Sequence, residues 1–500
     1  MKNEMQELKK RLHEVAHLSS ALALLHWDQE VAMPSKAGDA RAHSIACLSS
    51  FVHAKFLAIN NEDLLSNLKK ALDERKIKGD DGVIVLETWR TFIREKKIPD
   101  EFVRTLSETT SKAQQIWALA REKNDFNLFL PWLSKIVELK RREAEYVGYQ
   151  DSPYDALIDA YEPGMTAKET EKILEKMKDF LVPFLKRIQS GGKGKVIKKV
   201  RGKFPILKQI ECNEWLSKKV GFDFDAGKIA VSTHPFTSGF HPFDVRFTTR
   251  YREDDPLYAI GSTLHEAGHA LYEQGLPHEH FGTPLAESVS LGIHESQSRM
   301  WENLIGKSRP FLKYFLPEFR KYFPSFQKMS LDDIFARENT VTPSLIRTEA
   351  DEVTYNLHII IRFEIEKDMI EGKINLKDLP KIWKEKYKEY LGVSVPSDTL
   401  GVLQDVHWSC GLIGYFPTYS FGNLYSAQFY EVMRKSMPDM EKKIEKGDFT
   451  DILAWLRKNI HRHGKKFLAH TLVLNVTGSK LESDHFIHYL EKKYSKIYSL

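Results

Sequence analysis

The chain has 500 residues, a formal net charge of +5 and 42% apolar residues. It is long enough for a large buried core, and its weak charge singles out neither nucleic acid nor an anionic membrane as a partner. Its 3 cysteines, Cys47, Cys212 and Cys410, are odd in number and widely spaced, so no disulfide framework is expected and a reducing, cytoplasmic compartment fits better.

From the N-terminus to about residue 200 the chain reads as successive amphipathic helices. Leu8, Leu12 and Val15 begin the first apolar face. It opens directly into a charged helix pattern with no signal peptide, and no apolar run approaches the roughly 20 residues that span a bilayer. Residues 127–161 are rich in aromatic and apolar side chains and are expected in the core. Ser190-Gly191-Gly192-Lys193-Gly194-Lys195, continuing through Lys198, Lys199, Arg201 and Lys203, is the clearest loop signal. It is basic but lacks interleaved aromatics, which suits a solvated loop better than a nucleic-acid surface. Residues 204–250 are expected to hold a small sheet. There Asp244, Arg246 and Thr248 alternate with Val245 and Phe247, so a strand would have one polar and one apolar face. Such a segment suits either a plain amphipathic edge strand or a strand flanking a groove, with Arg246 held by Asp244 and facing substrate. Helices resume from residue 256 to the end. No compositional break, long linker or internal repeat divides the chain, so a single domain over 1–500 is expected, its chemistry concentrated in 234–419.

Asp254-Asp255-Pro256 signals a helix start, and Gly275 and Pro277 signal its end. Between them Ile260, Leu264, Ala267 and Leu271 recur at helical spacing. His265-Glu266-Ala267-Gly268-His269 lies in that helix. Two histidines one turn apart can reach one metal ion, with Glu266 beside them as general base. Such a centre needs a third protein ligand and an open fourth position. No third histidine follows at metzincin spacing. Glutamates are the alternative: Glu273, Glu279, Glu287, Glu295 and Glu302. Glu273 is one turn beyond His269 and would line the site or face solvent, and Glu279 falls in a turn. Glu287 and Glu295 both fit. Glu302, two turns after Glu295 on the same face, would suit an acid behind a ligand.

Six motifs resemble the carboxypeptidase Taq family, the M32 metallocarboxypeptidases. They are His234-Pro235-Phe236, Asp244-Val245-Arg246-Phe247-Thr248, His265 to His269, His294-Glu295-Ser296-Gln297, Ile346-Arg347-Thr348-Glu349-Ala350-Asp351, and Gly401-Val402-Leu403-Gln404-Asp405-Val406-His407-Trp408. They appear in the family's order over 234–408, without departure from its pattern, and Leu25-His26-Trp27-Asp28-Gln29 with Met33-Pro34 also looks like the family. His241-Pro242-Phe243 repeats the first motif; the earlier copy is preferred because it lies further from Asp244. The resemblance implies Glu295 as third ligand and one Zn2+ per chain, with Co2+ or Mn2+ as substitutes. It implies a mainly α fold, a single large helical body with a deep central groove and a small sheet near the active site, similar to neurolysin and angiotensin-converting enzyme. It also implies peptide substrates shortened by single C-terminal residues with broad side-chain tolerance, and a homodimer.

An exopeptidase must recognise a free carboxylate, and a guanidinium does so bidentately. Arg246 and Arg347 are the candidates. Asp351, four residues after Arg347, could instead pair with it within a helix. Gln404, Asp405, His407 and Trp408 crowd four functional side chains into five positions, with Tyr415 and Tyr419 close behind. His407 and one of these tyrosines are candidates to donate to a developing oxyanion, with Gln404 and Asp405 as support. Two other readings remain at this point: an oligopeptidase or dipeptidyl carboxypeptidase of similar fold, and a non-catalytic peptide-binding relative.

Overall fold

The computed structural model describes residues 1–191, 200 and 202–500. It is mainly helical with one small sheet, as expected. The chain forms two compact units, one made of Met1–Lys96, Ile197–Phe335 and Phe429–Gly478, the other of Lys97–Val196, Ala336–Gln428 and Ser479–Leu500.

In the first unit the long helix Lys2–Val31 buries Met5, Leu8 and Leu12. These meet Ile59, Leu65, Leu68, Ile84, Val85 and Phe92 in one apolar cluster. One helical run among the described residues, Ser35–Asp73, contains an 18-residue stretch of mean hydropathy 1.3, of which 6% is buried. It is no uninterrupted apolar run, since Ser, His and Lys residues break it throughout. The match is one of length and composition only, and Asp39, Arg41, His43, His53 and Lys55 lie in its helix Gly38–Leu57; such groups are costly in lipid.

The expected sheet is confined to the end of its window, because Ile206–Val220 is a helix. Three strands follow: β1 (Gly227–Val231), β2 (Thr237–His241) and β3 (Asp244–Thr249). Their order is β1-β3-β2, with β1 parallel and β2 antiparallel to β3. β3 is therefore central, not an edge. Residues 227–231 were not recognised as a partner strand, and they pair with its second side. Val245 and Phe247 are fully buried, as the alternation requires.

Helix Pro256–Glu273 starts as expected, with Asp255 capping Leu257 N and proline in the first turn. It ends without a left-handed glycine. Gly275 has an ordinary backbone, and its need is steric, since a Cβ there would lie 2.3 Å from His461 Nδ1. Helix Leu291–Arg299 packs on it and runs into a π-helical segment, Met300–Gly306.

In the second unit helix Tyr355–Glu371 is buried around its circumference. Phe126–Val147, Pro153–Ile158 and Ala167–Gly191 belong to the same unit. Much of the core expected over 127–161 is present, with Phe129, Leu133, Ile136, Val137, Tyr154 and Leu157 buried. Ser190 and Gly191 close a helix instead of opening a loop; the expected loop through 192–199 and Arg201 lies outside the described residues. Helices do not run unbroken to the C-terminus. Residues 339–354 and 392–416 are turns and short 3-10 segments, and these carry Arg347 and His407.

Candidate metal centre and the polar cluster of the second unit

His265 and His269 lie one turn apart on helix Pro256–Glu273, and Glu295 comes from helix Leu291–Arg299. Gly268 explains how the two helices approach: a Cβ there would lie 2.6 Å from Gln297 O and Ser298 Cα. One potential ligand atom from each of the three side chains lies within 4.8 Å of the others. Glu295 Oε2 is 3.7 Å from His265 Nε2 and 3.3 Å from His269 Nε2. The donor set, two imidazoles and a carboxylate, suits a divalent metal such as zinc.

Other side chains hold these three. Arg299 Nε donates to Glu295 Oε1 at 2.7 Å. Glu302 Oε2 accepts from Arg299 at 3.2 Å and meets His265 Nδ1 at 2.8 Å. Glu302 thus stands behind His265, not behind Glu295. Burial alone would raise the Glu295 pKa, but Arg299 and His265 outweigh it and hold the carboxylate well below its ordinary range. Burial pushes His269 down to about 3, leaving the neutral, metal-ready imidazole. His265 is raised despite its burial, because Glu295 and Glu302 face it. Glu266 is 6% exposed, and burial raises its pKa. Its Oε2 accepts from Thr237 Oγ1 on β2 at 2.7 Å. Sequence reasoning missed Thr237 and Arg299, although Arg299 follows Glu295 at helical i,i+4 spacing.

The neighbouring motifs resolve into separate tasks. Asp244 holds Arg246 bidentately at 2.8 and 2.9 Å, and the guanidinium lies 5.1 Å from the Trp27 ring and 5.2 Å from that of Phe240. Thr248 is fully buried. Its hydroxyl accepts from Phe236 N at 3.0 Å and lies 2.6 Å from Ser232 Oγ, which donates to His234 O at 2.7 Å. Thr248 therefore shapes the His-Pro-Phe segment from beneath, while the His234 side chain is exposed.

In the second unit, Arg347 and Asp351 do not form the helical pair that was the alternative to carboxylate recognition. Arg347 sits in a short 3-10 turn. Asp351 instead accepts from Thr342 N, Val353 N and Thr354 N. Arg347 pairs with Asp405 Oδ1 at 2.9 Å, and Arg362, which sequence reasoning missed, takes Oδ2 at 2.5 Å. A charged residue inside Ile359-Ile360-Ile361-Arg362-Phe363 was the available signal. Gln404 accepts from Arg347 N at 3.0 Å. His407 Nε2 lies 3.3 Å from Tyr419 Oη, and its ring packs against Tyr415. Burial and then Arg347 push His407 down to about 4, so it is neutral at pH 7.

Glu366, also unforeseen, anchors this region. It accepts from Tyr154 Oη at 2.8 Å, Trp408 Nε1 at 2.8 Å and Gly414 N at 3.1 Å. Burial raises its pKa from 4.5 to about 7. The folded state thus keeps this proton longer than the unfolded chain. The associated stability is complete below pH 4.5 and is lost as pH rises to 7, by roughly 3 kcal/mol at about 1.4 kcal/mol per pH unit. Glu366→Gln is expected to flatten that part of the pH profile of unfolding free energy. An unchanged slope in denaturant melts would refute this.

Two helix-borne histidines and a glutamate from a packed neighbour, with a second buried glutamate beside them, define a metallopeptidase-type centre. The model of the family described as Carboxypeptidase Taq (M32) metallopeptidase matches residues 7–494. The chain is 40% identical to Thermostable carboxypeptidase 1 of Thermus thermophilus, over 99% of this chain and 98% of that protein. It is 38% identical to Carboxypeptidase 1 of Bacillus subtilis, over 98% and 97%. Among solved structures, a Pyrococcus furiosus carboxypeptidase superposes with a TM-score of 0.95 at 38% identity, covering 98% of this chain and 99% of that one. An M32 carboxypeptidase from Deinococcus radiodurans gives 0.94 at 36% identity, with full coverage of both chains at 100%. The chain belongs to the carboxypeptidase Taq (M32) metallopeptidase family and is a metallocarboxypeptidase.

Proposed function

We propose that this enzyme releases single amino acids from the free C-termini of peptides, with one Zn2+ held by His265, His269 and Glu295 and with Glu266 as general base. The observation that carries this reading is the approach of both histidine Nε2 atoms to Glu295 Oε2, with the buried Glu266 next in sequence to the first. Zinc bound there supplies Lewis acidity toward water and the scissile carbonyl. Glu266 takes a proton from water on its carboxylate and returns it to the leaving nitrogen; its burial raises its proton affinity in the direction this shuttle needs. Thr237 fixes the orientation of that carboxylate. His407 and Tyr419 are a donor pair of the kind an oxyanion requires, with Tyr415 packed beside them.

The two arginines differ in how they are neutralised. Arg246 has Asp244 to itself, whereas Arg347 and Arg362 share Asp405. The second arrangement keeps an excess positive charge, which favours Arg347 as the residue that recognises a terminal carboxylate. Broad side-chain tolerance, a homodimer and a cytoplasmic location complete the proposal. The location is supported by the cysteines, all three free.

The test is product analysis with one defined peptide and its C-terminal amide. Stepwise loss of single residues from the free acid, slow cleavage of the amide, and loss of both activities after chelation with recovery on adding Zn2+ are expected. Release of dipeptides, internal fragments or equal cleavage of the amide would overturn it in favour of the dipeptidyl or oligopeptidase reading.

A further inference from the structure

We infer that His294 is a positioning residue for the metal centre, the middle of a hydrogen-bonded relay Glu273–His294–His269 that orients one metal ligand; the inference rests on the metal reading proposed above. His269 and Glu273 are one helical turn apart on helix Pro256–Glu273. His294, from helix Leu291–Arg299, inserts between them. Its Nδ1 lies 2.5 Å from His269 Nδ1, and its Nε2 lies 2.7 Å from Glu273 Oε1. The Tyr272 ring packs against His294 at 5.2 Å, and Tyr272 is itself held by Val289 N at 3.1 Å.

With a metal on the His269 Nε2 lone pair, this geometry allows one chain of donors and acceptors. A carboxylate at Glu273 only accepts, so His294 Nε2 carries a proton and donates it. His269 then carries its proton on Nδ1, and His294 Nδ1, 2.5 Å away, is the acceptor. His269 donates from Nδ1, which leaves its Nε2 lone pair bare toward Glu295, where a metal would bind. The relay thus selects the tautomer as well as the ring orientation of His269. His265 is oriented differently, by the single carboxylate of Glu302. The two metal histidines are therefore set by independent groups, one by an acid and one by an imidazole backed by an acid.

The experiment is zinc titration of the apo-protein against a chelating indicator of known affinity, with thermal melts of each apo-protein. His294→Ala is expected to raise the zinc Kd about ten- to hundredfold with little change in the apo midpoint. His294→Asn places an amide oxygen where Nδ1 was, so it should recover most of that affinity. Glu273→Gln should weaken zinc severalfold, because Gln accepts less strongly. Wild-type affinity in His294→Ala would overturn the relay. So would His294→Asn no better than alanine, or a Kd change matched by collapse of the apo-protein. If His294→Ala does not fold, His294→Asn and Glu273→Gln decide, since wild-type zinc affinity in both would also overturn it. Failure of wild-type protein to bind one zinc would instead refute the underlying metal assignment.

Discussion

Glu266→Gln is expected to lower kcat on a C-terminally free peptide by about a hundred- to ten-thousandfold, the range for loss of a positioned general base. Zinc binding should stay at one ion per chain, because Glu266 is not among the three converging donors. Glutamine is nearly isosteric, and its amide oxygen can still accept from Thr237 Oγ1, so fold and orientation are preserved. What is lost is a group that can hold the proton between water and the leaving nitrogen. Wild-type kcat in Glu266→Gln would remove Glu266 from the mechanism. A variant that lost zinc would instead show that the substitution had disturbed the neighbouring His265.

Asp405→Asn is expected to be the most damaging single change in the second unit, costing about 3–5 kcal/mol of unfolding free energy. Arg362 is fully buried and Arg347 6% exposed, and Asp405 is their common counter-ion. An amide keeps the shape but leaves both buried guanidinium charges without an anion. Burial would raise the Asp405 pKa, but Arg347 and Arg362 outweigh it and hold it well below the ordinary 3.8. The stabilisation is therefore complete above pH 3.8 and is lost only as pH falls further toward the folded-state value. Denaturant melts at pH 7 test the first statement. A loss below 1 kcal/mol would show that solvent or another anion neutralises the pair. The Asp405→Asn variant should also lose its share of the acid limb, giving a flatter stability profile below pH 3.8 than wild type.

Local patterns were legible where one element carries the whole signal. Asp255 and Pro256 start the helix they were expected to start, and Val245 and Phe247 face inward on β3. The pair His265 and His269 needed only helical spacing. Errors arose where the backbone was assumed. Arg347 and Asp351 stand four apart, but the chain turns there and Asp351 accepts backbone N–H groups instead. The helix does stop just before Gly275, but what requires glycine there is the side chain of His461, which the sequence does not show. The edge alternative for β3 failed because an edge is a property of neighbours, and β1 pairs with it from 18 residues earlier in the chain, as Gly227 with Val245, beyond a periodicity argument.

The helix that presents two imidazoles and a glutamate follows from local pattern, because one turn of helix sets their spacing whatever else the chain does. The ordered motifs pointed to the family and to Glu295. How Glu295 reaches those histidines was settled by packing, since it depends on a glycine contact between two helices. Packing alone decided that Glu302 meets His265, that His294 lies between Glu273 and His269, and that Arg362 joins Arg347 on Asp405. Each of these is a pairing between side chains distant in sequence. Burial makes such pairings obligatory, because an unpaired polar group in the core is costly, but only packing chooses the partner.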